Sequence, residues 1–194
     1  VSVVGSFAYV ACMSKGLRII DISDSETPRE TGFYDTPGFA HGVGIQSNSV
    51  FVADDDHGVR IIDVTDKARP SEIEFYDTPG RATSIRVVDR TAFVADGARG
   101  LRILDIGRKP TPREVGAYEV CFGGNVAVSG SYAYVHGNGG TTTHVINIEE
   151  RADPVRVISV TNLPSILDIV RNDMFATHSG NLEIYKRPEN EKWV

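Results

Sequence analysis

Cysteine is scarce in this sequence, with only two residues among 194. Cys12 and Cys121 do not occupy equivalent positions in the repeats of the chain, and two cysteines are too few for a disulfide framework. They therefore do not establish a redox compartment. The sequence also lacks a run of about 18 apolar residues, so we predict no membrane-spanning helix. Its first residues lack the positive charge and the apolar core of a targeting segment.

Positive charge is also in short supply. The 20 Lys and Arg residues face 26 Asp and Glu residues, which gives a formal net charge of −6. Proteins that bind nucleic acids present a basic patch, so this balance argues against a nucleic-acid partner. The sequence contains no Gly-x-Ser-x-Gly elbow, no His-Glu-x-x-His helix and no phosphate-binding Gly-Lys-Ser/Thr motif. We therefore assign no catalytic residue from a motif.

What the sequence does contain is one segment that recurs at a step of 42 residues. Residues 16–22 (GLRIIDI) return as 58–64 (GVRIIDV) and 100–106 (GLRILDI), and residues 142–148 keep the same pattern of side-chain sizes. A fixed period of this length is typical of stacked supersecondary units. Prolines and tyrosines follow the same step at Pro28, Pro70, Pro112, Pro154, Tyr34, Tyr76 and Tyr118.

Each repeat divides into four short segments rich in β-branched and aromatic residues, bounded by Gly, Pro, Asp and Ser. In the second repeat we predict strands at residues 41–46, 50–53, 58–64 and 71–76. No part of the chain shows a sustained helical period. Four short antiparallel strands in every repeat are typical of a β-propeller blade. We therefore predict an all-β chain that forms a single β-propeller domain over residues 1–194.

The predicted domain has four full blades and a partial fifth. The approximate bounds of the blades are 1–38, 39–80, 81–122, 123–165 and, for the partial blade, 166–194. This arrangement fits either a closed five-bladed ring or a fragment of a larger propeller. Most propellers close by pairing strands from both chain ends, and neither end offers an obvious closing strand here. We therefore expect the chain to be truncated, and we leave its oligomeric state open.

The third strand of each blade carries a family resemblance. Residues 17–21 (LRIID), 59–63 (VRIID) and 101–105 (LRILD) resemble the LVIVD repeat, as do the Tyr-Asp-Thr-Pro-Gly segments and the Ala-Asp after the second strand. The resemblance weakens after residue 122, and the fifth unit has Lys186 where the aspartate belongs. The LVIVD repeat is found in bacterial and archaeal propeller-like proteins, many of them exported or surface-associated. The resemblance thus implies a scaffold and a secreted, periplasmic or cell-surface location, but no catalytic residue.

Residues present in every blade are best explained by packing and turns, whereas residues that break the pattern are candidates for a grafted site. On this criterion the repeated arginine and aspartate of the third strand are structural. Their odd spacing puts them on opposite faces of the strand, so they bond different neighbours. We expect the aspartates to accept hydrogen bonds from turn or adjacent-strand amides. These residues are Arg18, Arg60, Arg102, Asp21, Asp63 and Asp105.

The residues that break the pattern lie in two kinds of loop, one between the second and third strands and one between successive blades. In a propeller these loops open on the same face, beside the central channel. Residues 121–123 belong to the second kind, and the Gly- and Thr-rich insertion at 136–143 is interpreted as a mobile rim loop. We predict a ligand-binding loop face formed by His41, Asp54, Asp55, Asp56, His57, Arg81, Asp96, Arg99 and His136.

Metal binding is one alternative for this face. Asp54, Asp56 and His57 supply oxygen and nitrogen ligands for a divalent cation. The alternating aspartate spacing of a calcium loop is absent, however, and a solvated turn explains the same residues. A second arrangement would bring His41, His136 and His178 to the channel mouth beside Asp54, although each histidine can equally be a single loop residue.

Hydrolysis by paired carboxylates is another alternative, and it needs two acids about 5–10 Å apart across a cleft. The candidate acids are Asp35, Asp54, Asp96 and Asp168. Our main prediction is instead a non-enzymatic repeat scaffold that presents its loop face to a protein or a cell-surface ligand. We expect no cofactor, with a bound divalent cation left as an alternative. The rival function is a hydrolase or a metal-assisted enzyme with its site at the channel mouth.

Overall fold

A computed structural model describes residues 1–107, 112–119, 123–137 and 142–161, and the backbone of three further strands within residues 165–186. These residues form strands and turns, and no helix occurs among them. It follows that no helix in this part of the chain has the length and apolarity needed to cross a bilayer. The prediction of an all-β repeat chain is confirmed.

The described strands form five antiparallel sheets in which neighbours in sequence are also neighbours in the sheet. Sheet 1 comprises β1 (Ser2–Val4), β2 (Phe7–Ala11), β3 (Leu17–Asp21) and β4 (Arg29–Tyr34). Sheet 2 comprises β5 (Gly42–Gln46), β6 (Ser49–Ala53), β7 (Val59–Asp63) and β8 (Ser71–Tyr76). Sheet 3 comprises β9 (Ser84–Val88), β10 (Thr91–Ala95), β11 (Leu101–Asp105) and β12 (Arg113–Tyr118).

The last two sheets continue the same order. Sheet 4 comprises β13 (Gly123–Ser129), β14 (Tyr132–Gly137), β15 (Thr142–Asn147) and β16 (Val155–Thr161). Sheet 5 comprises β17 (Ser165–Val170), β18 (Asp173–His178) and β19 (Asn181–Lys186). The four complete units of the sequence pattern therefore correspond to four four-stranded sheets, and the described part of the fifth unit has three strands.

Sheet 2 shows how closely the pattern of apolar and turn residues predicts the strands. Every boundary predicted for this repeat lies within one residue of the observed strand end. β5 and β6 are joined by a tight turn in which Ser47 has a φ of 53°. Hairpin turns of this kind need a left-handed residue, because their twist must match that of the flanking strands. Asp89 takes the same conformation in sheet 3, with a φ of 51°.

The outer strand of sheet 2 buries its polar side chains rather than its apolar ones. Glu72 and Glu74 alternate with Ile73 and Phe75, but the glutamates are the partly buried residues and the apolar side chains are exposed. For Glu72 the reason is Arg60 of β7, which donates to its carboxylate from Nε at 3.0 Å and through a second, shorter bond. Phe75 covers the guanidinium of Arg60, with the ring centroid 4.5 Å away.

The core lies between successive sheets rather than within any one of them. The first strands of the sheets, β1, β5, β9, β13 and β17, are neighbours in that order. Between sheets 1 and 2, Leu17 and Ile19 pack with Val50 and Ile62 in one buried cluster. Equivalent clusters fill the next two junctions. Each sheet therefore buries its apolar faces only against its neighbours, as in other repeat proteins.

The repeated aspartates at the end of the third strand bond turn amides, as predicted. Asp21 accepts from the N–H of Ser23 at 2.8 Å, and Asp63 accepts from the N–H of Thr65 at 2.8 Å. Asp105 likewise accepts from Gly107 at 2.9 Å. Cys12 is a free thiol, and Cys121 lies outside the described residues.

Candidate functional site

The loops between second and third strands lie beside the linkers between sheets. Met13 and Ala40 exchange two backbone hydrogen bonds of 3.0 Å, and Asp55 and Ala82 exchange bonds of 3.1 and 2.9 Å. These bonds place the two kinds of loop side by side, as expected for loops that open on the same face. We call the surface that they form the loop edge, and it comprises residues 12–16, 37–41, 54–58, 79–83 and 96–100.

The loops between second and third strands share one backbone conformation in sheets 1 to 3. In each, the N–H of the first loop residue donates to the carbonyl of a glycine four positions later, at 2.7–2.8 Å. The second loop residue is left-handed in each, with φ values of 52° at Met13, 55° at Asp55 and 55° at Gly97. The backbone therefore repeats while the side chains differ, so the loop edge is a constant frame with variable side chains.

Asp54 points away from solvent, into the junction between sheets 1 and 2. Its side chain is fully buried, and it accepts hydrogen bonds from the Thr36 hydroxyl at 2.5 Å and from the Gly38 N–H at 2.8 Å. Burial raises the pKa of Asp54, and these two hydrogen bonds act in the opposite direction. Asp54 thus fastens the linker that leaves sheet 1 onto sheet 2.

Asp96 repeats this role one unit later. It is fully buried and accepts a hydrogen bond from the Gly80 N–H at 2.9 Å. Its Oδ2 lies 3.6 Å from the Nε of Arg102. Burial raises the pKa of Asp96, while the Thr78 side chain and the Arg102 guanidinium favour the charged form. In both units the carboxylate follows its partner glycine by 16 residues, a spacing that the sequence already contains.

Asp55, Arg81 and His41 form a cluster on the loop edge, where the loop of sheet 2 lies beside the linkers that precede and follow that sheet. The carboxylate of Asp55 is buried, and Arg81 binds it with two contacts of 2.8 Å, from Nε to Oδ1 and from a terminal nitrogen to Oδ2. The Nε2 of His41 lies 3.8 Å from Oδ2 of the same carboxylate. The structure thus brings together three of the predicted site residues, of which Arg81 is the most exposed at 68%.

Asp56 and His57 form an exposed pair next to this cluster. The Nδ1 of His57 lies 3.0 Å from an Asp56 carboxylate oxygen, and both side chains face solvent at 66% for Asp56 and 44% for His57. The third predicted metal ligand, Asp54, is buried against Thr36 and Gly38. Within the described residues, no group of three or more His, Cys, Asp or Glu side chains is placed to hold a metal ion.

Arg99 and His136 complete the predicted set. Arg99 is exposed, and its side chain covers Gly80, where a Cβ would come within 2.9 Å of Arg99 Cγ. His136 is directed into its own sheet, where Nδ1 lies 3.0 Å from the hydroxyl of the buried Thr143. Burial lowers the pKa of His136.

The remaining candidate acids and histidines divide into two groups. Asp35 is exposed and pairs at 2.8 Å with Arg18, which is the repeated arginine of the third strand. The side chains of Asp168 and His178 lie outside the described residues, and so do Cys121 and Phe122. Residues 138–141 of the predicted rim loop also lie outside them. Among the described candidates for paired acids, Asp54 and Asp96 each belong to a different junction between sheets.

One network was missed by the sequence reasoning. The Tyr34 hydroxyl donates to Glu72 of the next sheet at 3.4 Å, and Tyr76 makes the same contact with Glu114. Arg60 holds Glu72 from its own sheet. The tyrosines recur at the 42-residue step, so the sequence marks them as structural residues. It does not identify the glutamates of the next sheet that they bond.

A family model for the LVIVD repeat matches the chain four times, at residues 1–36, 37–78, 79–120 and 123–159. The chain belongs to the LVIVD repeat family. The boundaries of the four matches follow the linkers between sheets, so each LVIVD unit corresponds to one four-stranded sheet. A search of curated proteins finds no match.

Solved structures similar to this LVIVD chain include two computationally designed proteins. Ika8 matches with a TM-score of 0.67 at 10% identity, over 96% of this chain and 57% of its own. The chain thus spans little more than half the length of that protein. Ika4 matches with a TM-score of 0.55 at 11% identity, over 78% of this chain and 92% of its own. At such low identity the likeness concerns the fold alone.

Proposed function

We propose that this chain is a non-enzymatic β-propeller scaffold whose loop edge binds a protein or a cell-surface ligand. The observation that supports the proposal is the constant loop backbone with side chains that change from unit to unit. At equivalent positions of the loop edge, Met13 and Phe39 are exposed apolar residues in one unit. In the next unit Asp55 and Arg81 form an ion pair. Such a frame holds different recognition groups in fixed positions, which lowers the entropic cost of binding.

The chemistry of the buried acids also favours binding over catalysis. A glycosidase needs two carboxyl groups that flank the same bond. Asp54 and Asp96 are fully buried, and each accepts hydrogen bonds from the linker of the preceding sheet. Their raised pKa values arise from this burial. We therefore interpret both as structural groups, and we place the proposed binding residues among the exposed side chains Asp56, His57, Arg81 and Arg99.

The family resemblance suggests where such a scaffold acts. Many LVIVD-repeat proteins are exported or surface-associated, and we extend the proposal to a secreted, periplasmic or cell-surface location. Fractionation of cells that express the full-length protein tests this part. Recovery in the cytoplasmic fraction alone would contradict it.

The binding proposal is tested with substitutions on the loop edge and a control substitution at the opposite end of the strands. We would screen the chain against a glycan array and a panel of purified surface proteins, and then measure the affinity for each hit by biolayer interferometry. Arg99→Glu and His57→Ala are each expected to weaken binding about tenfold, which corresponds to a loss of about 1.4 kcal/mol of binding free energy. Arg69→Glu, in an exposed turn at the opposite end of β7, is the control and should leave the affinity unchanged. Equal binding by all three variants would mean that the loop edge is not the binding surface.

A further inference from the structure

A cavity of about 800 Å³ opens between sheets 2 and 3, at the end of the strands opposite to the loop edge. Its walls include the turn after β5, the end of β7 and the outer strand β8, and from sheet 3 they include Arg90, Ile106 and Gly107. Small-molecule sites in proteins have volumes of about 300–1,000 Å³. The cavity is therefore large enough for a small molecule or for a side chain of a partner.

The outer strand at this junction differs from its counterparts at one position. Gly32, Glu74 and Gly116 occupy the same register position, opposite Ile19, Ile61 and Ile103 respectively. A methyl group on Gly32 would collide with the carbonyl oxygen of Lys67 in the next sheet. A methyl group on Gly116 would collide with the carbonyl oxygen of Arg151 in the same way.

At these two junctions the turn of the following sheet therefore packs directly on the outer strand. Glu74 carries a side chain at the register position where its two counterparts have none. A smaller cavity of about 420 Å³ lies between sheets 3 and 4, and no residue of the outer strand β12 lines it. Glu74 is thus a single break in the repeat, and it places a carboxylate on the wall of the larger cavity.

The chemistry of the cavity is acidic at one side and apolar at the base. The carboxylates of Glu74 and Asp63 line it, with Arg90 on the opposite wall. One terminal nitrogen of Arg90 donates to the carbonyl of Gly107 at 2.6 Å, which directs that cation to its own wall. Within the described residues Glu74 makes no salt bridge, and its Oε1 accepts only from the adjacent Phe75 N–H at 3.1 Å.

Apolar groups continue from this carboxylate along the cavity. Ile73 is 52% exposed beside Glu74, and the buried side chains of Phe51 and Ile61 form the base. A partly buried carboxylate that pairs with no cation among the described residues favours a cationic group, because a charge-assisted hydrogen bond offsets its desolvation. An apolar stem on that cation would cover the exposed face of Ile73.

We propose that this cavity binds a primary ammonium or guanidinium group carried on an apolar stem, with Glu74 as its counter-ion. Two sources share this chemistry, a free alkylamine and the lysine or arginine side chain of a peptide. The proposal does not depend on the loop edge, because the cavity lies at the other end of the strands. A variant that loses binding at Glu74 should keep any ligand bound through Arg99.

The test uses hexylamine, agmatine and Nα-acetyl-lysine amide as probes. Binding of each probe is measured from the chemical shifts of the protein's backbone amides. We expect saturable shifts centred on Ile73 and Gly107, and no response to hexanoate, which has the same stem and the opposite charge. Glu74→Gln keeps the size of the side chain and should weaken binding at least roughly tenfold. Glu149→Gln is the matched control, because Glu149 lines the smaller cavity, and it should leave the affinity unchanged.

The probes also separate the two sources. Stronger binding of the lysine amide than of hexylamine would indicate a peptide side chain, and the reverse order would indicate a free amine. Shifts spread over the acidic surface, equal binding of hexanoate, or unchanged affinity in Glu74→Gln would each overturn the proposal. Glu74→Gly provides a second variant, since it restores the residue of the sister units and should abolish binding while the protein stays folded.

Discussion

The contact between Thr36 and Asp54 offers a direct test of how the sheets are held together. Thr36→Val keeps the shape of the side chain and removes the hydroxyl that donates to the buried carboxylate at 2.5 Å. A hydrogen bond to a charged group contributes about 1.5–3 kcal/mol to stability, so we expect a loss of about 2 kcal/mol at pH 7. With a urea m-value of about 2 kcal/mol/M, the unfolding midpoint should fall by about 1 M.

The loss should depend on pH in a defined direction. Burial raises the pKa of Asp54, and the Thr36 hydroxyl lowers it by favouring the charged form. The folded-state pKa therefore lies above the unfolded value of about 3.9, and the stability that this shift contributes is present at low pH and is lost as pH rises through the folded pKa. Removing the hydroxyl raises the folded pKa further. The cost of Thr36→Val should thus be larger at pH 7 than at pH 4, because protonation of Asp54 weakens the bond that the hydroxyl makes.

Thr27 provides a matched control, because its hydroxyl makes the same kind of bond to Asp24, at 2.6 Å, in an exposed turn. Thr27→Val should cost less than about 0.5 kcal/mol, as expected for an exposed surface substitution. Urea unfolding, monitored by far-UV circular dichroism, measures the loss of stability of each threonine variant at pH 7 and at pH 4. Equal losses for the two threonine variants, or a loss at Thr36 that does not change with pH, would refute the argument that this buried bond joins the sheets.

Three further predictions concern stability. Arg60→Met breaks a mostly buried ion pair and should lower the free energy of unfolding in urea by about 3 kcal/mol. Arg69→Met removes an exposed ion pair and should cost less than about 1 kcal/mol. Equal costs for the two variants would contradict this prediction. The lowered pKa of His136 stabilises the fold above about pH 6.5, and this stability is lost as pH falls through the folded pKa. His136→Gln should therefore flatten the decline in stability between pH 7 and pH 5, and an unchanged slope would count against it. Gly32→Ala drives a methyl group into the Lys67 carbonyl and should cost about 2 kcal/mol, seen as a lower Tm; an unchanged Tm would show that the two sheets can separate without loss.

The sequence by itself determined the features that depend on local spacing. The 42-residue step and the period of apolar residues placed the strands of sheet 2 within one residue of their observed ends. Turn chemistry likewise predicted that the repeated aspartates would bond turn or adjacent-strand amides, as Asp63 does with the amide of Thr65. These features follow from local sequence because strand ends, turns and their hydrogen bonds involve partners close in the chain.

The tertiary structure alone decided how neighbouring candidate residues divide their roles. Asp54, Asp55 and Asp56 are adjacent in sequence, yet the first fastens a linker, the second pairs with Arg81 and the third faces solvent beside His57. Their partners lie 18, 26 and one residue away, and the first two reach them only because successive sheets pack together.

The cavity beside Glu74 depends on the same packing. Sequence alone shows a glutamate where two sister repeats have glycine, but only the position of the neighbouring sheet shows what that glycine allows. A side chain at this position matters because a backbone carbonyl of the next unit approaches it in the sister junctions. Contacts between sheets join residues far apart in the chain, so their consequences for a site appear only once the units are packed together.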